Sequence, residues 1–366
     1  MADNNEISKA FAEKLSGMVG AAMVCNVLAM AKELKLFEGM AEISPNGEPK
    51  SYHQIAEHNK LKARYVREML NALACADIVE VDETGEQFWI MKEKKGCLIG
   101  DQIANGVLFT TQIPSMVGVY NEMKEVCKKD GPLGLDYSAY GHFSETMGKT
   151  SEAMHKRHLI SDFIPLTGMK EKLDGTEVIE CLDVGCGNGF HVTHLAEHYP
   201  HSNFTGIDIT LTAIRQALAT RSEEGKSLHN TAFYEMNGSK LRDEWSNNFD
   251  WVMMFDACHD QHRPDLSLKE IYRVLKPGGV FTMIEVDGTS NVYDDKKQKG
   301  ELSAFLYSVS FYHCLPIGSN SEDALCLGNM WGQKKAVELL KAAGFEDIQV
   351  IPTPFFELNV MYKCTK

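Results

Sequence analysis

One segment restricts the fold more than any other. The apolar run VIECLDV breaks at Gly185-Cys186-Gly187-Asn188-Gly189, and a helical pattern follows. Glycines at a strand-to-helix turn tolerate left-handed backbone and let a ligand approach the main chain closely. They do so at the sheet edge where open α/β folds bind their ligands. The flanking chain keeps the same rhythm: a helix over 190–199, FTGIDI, a helix over 211–224, TAFYEM, FDWVMMFDA, a helix over 265–275, then VFTMIEV. Strands alternating with helices predict a doubly wound α/β unit, a parallel sheet covered on both faces. A helix over 332–343 and two last strands, FEDIQVIPT and FFELNVMYKC, complete it.

The 366 residues exceed what this unit needs, and at roughly 100–200 residues per domain they predict two. Residues 10–38 place Phe11, Leu15, Met18, Val19, Ala22, Val27, Met30, Leu34 and Phe37 at helical steps. This helix is apolar over more of its circumference than one packed face requires, so it is expected to be buried, against a partner chain if not its own. SPNGEP is a turn, and Ser51 is placed to cap a short helix in SYHQIAEHNKL. A helix from Lys62 to Ala76 should bury Val66, Leu70 and Leu73. DIVEVDETGEQFWIM then reads as two short strands around Glu83-Thr84-Gly85-Glu86. Helix, helix, hairpin is a winged-helix pattern. The expected division is 1–130 helical and winged-helix, 131–176 a helical linker closing over the site, and 177–366 the α/β domain, with a helical insertion at about 290–331.

Composition removes several classes. Hydrophobic residues at 44% and charged residues at 24% describe a globular chain, not a disordered one. The 37 Lys and Arg against 51 Asp and Glu give a net charge of −14, which argues against a nucleic-acid partner. Ten cysteines without a Cys-x-x-Cys pair fit free thiols in a reducing cytosol. The polar, acidic start is unlike a targeting peptide. The uncharged stretch Ser16 to Ala31 is shorter than the ~20 residues of a membrane span. A cytoplasmic protein with no membrane partner is expected.

The glycine loop reads D-x-G-x-G-x-G from Asp183, whereas dinucleotide enzymes favour G-x-G-x-x-G. With Asp208 ending the next strand, where a carboxylate can hold both hydroxyls of a ribose, and with Leu275-Lys276-Pro277-Gly278-Gly279-Val280 as a turn before a strand, the segment resembles class I S-adenosylmethionine-dependent methyltransferases. The resemblance implies a Rossmann-like domain with S-adenosyl-L-methionine as cofactor. Gly185 and Gly187 would face its amino-acid moiety and Asp208 its ribose, with Asp183 also in the cofactor site. Met236 and Asn237 would meet the adenine, with Ile209 and Phe255 also in the cofactor site. Asn237 stands where the family often has Asp.

Cys258-His259-Asp260-Gln261 follows the fourth strand of the α/β unit. From His259 to Gly279 the chain resembles plant-type small-molecule O-methyltransferases, which carry a winged-helix dimerisation domain and use a His of a His-Asp pair as general base. Gln261 replaces the usual Trp, as in a less characterised bacterial and animal group. The resemblance implies His259 as base, Asp260 beside it, and Glu285 as the acid that holds the imidazole. It also implies a homodimer and a small-molecule methyl acceptor. The chemistry agrees: a hydroxyl acceptor must lose its proton as it is methylated, and His titrates near neutrality. Oxygen is the favoured acceptor atom, with thiol or another acceptor open.

Two other functions use the same features: a winged-helix DNA-binding regulator with a cofactor-sensing domain, and an NAD-dependent oxidoreductase. The basic group Lys60, Lys62, Arg64 and Arg67 is modest, interrupted by Glu68, and reads as solvated surface or dimer contact. His191, His194, His198 and His201 tempt a metal reading, but no carboxylate or Cys pattern accompanies them. A solvated helix face is expected there, and no metal. Phe305, Tyr307, Phe311, Tyr312, His313 and Trp331 suit a pocket roof or a core equally. Tyr137, Tyr140, Phe143 and Met147 are placed to close over the cofactor.

Overall fold

The computed structural model describes residues 4–100, 106–141, 143–223 and 228–366; the side chain of Phe143 and residue 224, the expected end of one helix, lie outside the description. The chain forms two compact units. The first holds the described residues up to Gly118 and a stretch ending at Ala153; the second holds Val119–Gly141 and Met154–Lys366. The break thus falls at Gly118, and residues 131–176 contribute to both units.

In the first unit, helix α1 (Asn4–Glu33) is followed by α2 (Leu36–Ile43), strand β1 (Lys50–Ser51), α3 (Tyr52–His58) and α4 (Ala63–Cys75). Strands β2 (Glu80–Val81) and β3 (Gln87–Trp89) close a small antiparallel sheet in the order β1-β3-β2. The expected 10–38 helix is therefore two, divided at Lys35, which takes a left-handed conformation. Ser51 caps α3 in a reciprocal box with Gln54, and α4 buries Val66, Leu70 and Leu73 as the periodicity requires. Arg64 pairs with Glu68, and Arg67 with Glu86 at 2.6 Å, so half of the basic group is neutralised locally.

Helix α1 departs from expectation. Within the chain it is not buried: only Ala29 and Ala31 are, while Phe11 is 62% and Val19 67% exposed. The reason is geometric. A stripe this wide on a 30-residue helix exceeds the apolar surface that the small winged-helix core can offer. By length and composition α1 also meets the requirement for a membrane span, so the expectation from its uncharged stretch alone was too narrow.

The second unit holds a seven-stranded sheet. Its strands are β4 (Glu180–Val184), β5 (Asn203–Asp208), β6 (Thr231–Glu235), β7 (Phe249–Phe255), β8 (Leu275–Val286), β9 (Asp347–Pro352) and β10 (Asn359–Thr365). The spatial order is β6-β5-β4-β7-β8-β10-β9. β4 to β8 are parallel, and β10 runs antiparallel to β8 and β9, so the sheet is not wholly parallel. Lys276-Pro277-Gly278-Gly279 is an irregularity inside β8 rather than a turn before it: Leu275 already pairs with Phe249 before the register shifts to Val280 against Trp251.

Each sheet face carries its own core. Cys181, Phe204, Trp251, Met253 and Ile284 face the helix Phe190–His198. Leu182, Val252, Met254, Phe281 and Met283 face the helices Pro264–Val274 and Gly332–Ala343. Burying each large side chain contributes roughly 1.5–3 kcal/mol, which fixes the strand order and hence which strand ends become neighbours. Strand order reverses between β4 and β7, where such sheets open a crevice at their carboxyl ends.

In the first unit, Ser51→Ala removes the hydroxyl half of the capping box on α3. Urea unfolding should show a loss of about 1 kcal/mol; unchanged stability would mean that the box contributes nothing.

Candidate active site

The crevice is lined by what leaves β4, β5, β7 and β8. After β4 the loop turns through Gly185, Gly187 and Gly189, with φ of 79°, 53° and 77°. The three differ in purpose. A Cβ on Gly185 would lie 2.6 Å from Ala257 Cβ, and one on Gly189 would lie 2.7 Å from Ala217 and Phe233, so those two are needed for packing. A Cβ on Gly187 would meet nothing within 4 Å. Its backbone borders open space.

Asp208 ends β5 and braces that loop. One carboxylate oxygen accepts the Gly187 amide at 3.0 Å, and the other accepts the Thr210 amide and hydroxyl, both at 2.8 Å. Ile209 beside it is 53% exposed, an apolar side chain at the sheet edge. Met236 donates its amide to the Asp208 carbonyl at 2.8 Å and packs partly into the core. The exposed Asn237 spends its side-chain oxygen on the Ser239 amide and hydroxyl. Phe255 sits deeper, inside an aromatic group with His155, Phe163 and His191, and its ring lies flat on His191 with centroids 3.9 Å apart.

Asp183 is fully buried, and neither of its carboxylate oxygens has a hydrogen-bond partner among the described residues. Burial first, and Asp208 second, push its pKa up to about 8. A carboxyl group in this state is primed to receive a cation.

The second cluster follows β7. Asp256 takes a left-handed φ of 45°, which costs a non-glycine residue energy and concentrates at functional sites. Burial, followed by the nearby Glu285, raises its pKa to about 7, and Asn359 donates to it at 2.6 Å. The turned chain delivers His259 and Asp260. Glu285, fully buried on β8, receives the Cys258 amide at 2.9 Å on one oxygen. On the other it receives the Trp331 indole N–H at 3.1 Å and meets His259 Nδ1 at 2.5 Å. A neutral His259 whose Nδ1–H is donated to Glu285 keeps its lone pair on Nε2. That atom lies 3.4 Å from Asp260 Oδ1, an ion-pair approach rather than a hydrogen bond. Burial pulls the imidazole toward its neutral form, but Glu285 and Asp260 outweigh it and hold its pKa well above the ordinary histidine value.

Around this imidazole Tyr137 donates to Asp260 Oδ2 at 3.2 Å, and Tyr140 donates to the Tyr312 carbonyl at 2.7 Å with its ring edge against His313. The Cys314 thiol is in hydrogen-bonding reach of His259, and burial pushes its pKa up to about 12. Donor atoms of His259, Asp260 and Cys314 lie within 4.8 Å of one another, the one such grouping among the described residues. That spacing serves a proton-transfer cluster and would also admit a cation.

The sequence expectations meet this geometry unevenly. His259, Asp260 and Glu285 come together, as do Asp183, Gly185, Gly187 and Asp208. Trp331 braces Glu285 from below instead of roofing a pocket, whereas Phe305 and Phe311 stay exposed. Tyr137 and Tyr140 reach the site; Met147 belongs to the first unit. His198 and His201 are solvated, but His191 is not. It turns inward from the first helical turn to His155 at 2.7 Å, because that turn abuts the sheet edge. Asp256, Cys314 and His155 were missed. Only Asp256 carried a signal, an acid at the carboxyl end of an apolar strand.

Comparison with known proteins agrees with both halves of the chain. Residues 175–344 match the family model of a methyltransferase domain, and residues 21–99 match that of an Rv2258c-like winged HTH domain. A S-adenosyl-L-methionine-dependent Diels-Alderase of Talaromyces variabilis is 28% identical over 188 residues, 50% of this chain but 60% of its own length. Two solved structures share the fold. Human N-acetylserotonin methyltransferase, in complex with SAM, has a TM-score of 0.65 and 19% identity, over 97% of both chains. An O-methyltransferase family protein of Burkholderia thailandensis has a TM-score of 0.70 and 14% identity, over 98% of this chain and 97% of its own.

Removing the Glu285 charge should make His259 a weaker base. In a histidine NMR titration the His259 ring should protonate above pH 6.5 in the wild type and at distinctly lower pH in Glu285→Gln. Coincident curves would show that Glu285 does not set its basicity.

Proposed function

We propose, for a chain that joins a winged HTH domain to a class I methyltransferase domain, that it transfers a methyl group from S-adenosyl-L-methionine to a hydroxyl of a small, neutral or cationic acceptor. One observation carries the cofactor: the buried, unpartnered carboxyl of Asp183 beside the open space over Gly187. A cofactor with an α-ammonium and a sulfonium centre fits a crevice that Asp208, Asp256 and Asp260 border and that the buried Asp183 and Glu285 back. Asp183 and the Gly187 backbone would hold its amino-acid end, Asp208 its ribose, and the exposed Ile209 with Met236 and Asn237 would border its adenine. When bound, that cofactor supplies a methyl group on a positively charged sulfur.

The chain's own residues do the rest. Tyr137 and Tyr140, held beside Asp260 and His313, would border the acceptor and help exclude water. The acceptor hydroxyl gives its proton to His259 Nε2, and the imidazolium is held between Glu285 and Asp260. A base so positioned contributes ~10²–10⁴-fold. The carboxylates that raise its basicity also repel an anionic acceptor, which favours a phenol or alcohol over a carboxylate. The open alignment of acceptor and donor supplies the remaining acceleration through proximity.

We further propose that the protein is a cytosolic homodimer. The exposed stripe of α1 continues into a groove of Val27 and Met30 on α1, Leu61 just before α4, and Tyr65 and Met69 on α4. A second copy of α1 would cover both. All ten cysteines are unpaired, in keeping with a reducing compartment.

Two measurements test these proposals. S-adenosylhomocysteine should quench tryptophan fluorescence where NADH does not. Asp208→Ala should bind it about ten-fold more weakly, since bonds to a charged group contribute roughly 1.5–3 kcal/mol each. Equal affinity in a folded variant would remove Asp208 from the site, and selective NADH binding would make the protein an oxidoreductase. Light scattering at micromolar concentration should return twice 40.9 kDa, and a monomer for the pair Phe11→Asp and Val19→Asp; a monomeric wild type would overturn the dimer.

A further inference from the structure

Behind the glycine loop lies a buried chain of polar groups that the proposed chemistry does not use. His191 Nε2 is 2.7 Å from His155 Nδ1. The His191 ring lies flat on Phe255, and its Nδ1 is 3.6 Å from Asp183 Oδ2. That contact is too long for a hydrogen bond, which leaves the Asp183 oxygens without partners. His155 is 3% exposed and packs with tilted rings against both Phe356 and Phe255. Three ionisable side chains thus run in line from the core to the floor of the crevice.

The geometry restricts the protons. Burial holds His155 well below the ordinary histidine range and pulls His191 down to about 3, so both rings are neutral. A neutral imidazole carries one N–H, and the 2.7 Å contact needs one donor and one acceptor. If His155 donates from Nδ1, His191 accepts on Nε2 and must carry its own proton on Nδ1, the atom that faces Asp183. The hydrogen bond at one ring nitrogen fixes which proton the other presents.

We infer that His191 is a positioning residue for the cofactor: its Nδ1–H, with the tautomer set by His155, holds the Asp183 carboxylate in the ionised form that receives the cofactor's α-ammonium group. This rests on the S-adenosyl-L-methionine reading and adds a proton to it. The groups facing Asp183 are His191 from the helix after the loop, Cys186 from the loop and Asp208 from β5, with His155 behind His191. Cys186 is held in its neutral thiol form by burial, so Asp208 is the one facing charge, and it opposes ionisation. In the free protein Asp183, raised to about 8, is therefore mostly protonated at pH 7. When the ammonium docks, the Asp183 O–H bond breaks, its proton passes to solvent, and a His191 N–H···O bond forms.

Calorimetry of the full chain with S-adenosylhomocysteine tests this without any acceptor. Titrations at pH 7 in buffers of different ionisation enthalpy should reveal release of close to one proton. In Asp183→Asn that release should vanish. His191→Phe, which keeps a flat ring on Phe255, should bind about ten-fold more weakly at pH 7, with affinity recovering at higher pH. His191→Asn, whose amide nitrogen can stand in for Nδ1, should restore affinity to within about three-fold. A purely structural His191 would leave the pH profile unmoved and would not be rescued by Asn. Wild-type affinity in His191→Phe at every pH, or proton release that survives Asp183→Asn, would overturn the inference while leaving the cofactor reading intact. Failure of the folded wild type to bind S-adenosylhomocysteine would overturn the cofactor reading, and this inference with it.

Discussion

A single buried carboxylate gathers the His259 cluster of this protein. Glu285 sits at the end of β8 with no access to water, a placement that is costly unless every lone pair is met. Its partners come from two separate stretches: the Cys258 amide and His259 ring after β7, and the Trp331 indole before the last helix. Satisfying Glu285 therefore docks the insertion after β8 against the sheet and aims His259 at the crevice in one step. The same charge makes the imidazole more basic than a free histidine. Packing and chemistry are here two consequences of one desolvated group.

The cofactor side follows a different logic. Strand order reverses between β4 and β7, so the glycine loop and the His259 turn open onto a common edge. Around that edge stand five carboxyl groups, and two of them, Asp183 and Asp256, are pushed toward their neutral forms by burial. Such a site is unsuited to phosphate, which the glycine loops of nucleotide-binding folds usually cradle. It suits a ligand that brings positive charge. The absence of a Cβ at Gly187 keeps the backbone reachable, while the absence of one at Gly185 and Gly189 also lets neighbouring side chains pack closely.

Much of this was legible in the sequence, and the reason is local. The loop, Asp208, His259 and Glu285 all stand where an apolar strand ends, so the order of strands and helices alone places them on one edge. The Ser51 cap and the buried face of the Lys62 to Ala76 helix were readable for the same reason. What was not legible depends on partners far along the chain. Trp331 reaches Glu285 across 46 residues and His155 reaches His191 across 36. Helical spacing placed His191 with the solvated histidines, since periodicity reports which residues share a face but not what that face meets. Likewise the apolar width of α1 was readable, but a single chain has no surface on which to bury it.

In the proposed reaction His259 would take a proton from a hydroxyl acceptor as that hydroxyl receives the methyl group of S-adenosyl-L-methionine. The most direct test incubates wild type and His259→Ala with methyl-labelled S-adenosyl-L-methionine and a small-molecule metabolite extract, then follows label in the extract under single-turnover conditions. The account predicts labelled hydroxyl products from the wild type and a loss of ~10²–10⁴-fold in rate for the variant, with S-adenosylhomocysteine affinity unchanged. Transfer to a hydroxyl at full rate by a folded His259→Ala, or no transfer to any small molecule by a cofactor-bound wild type, would contradict it.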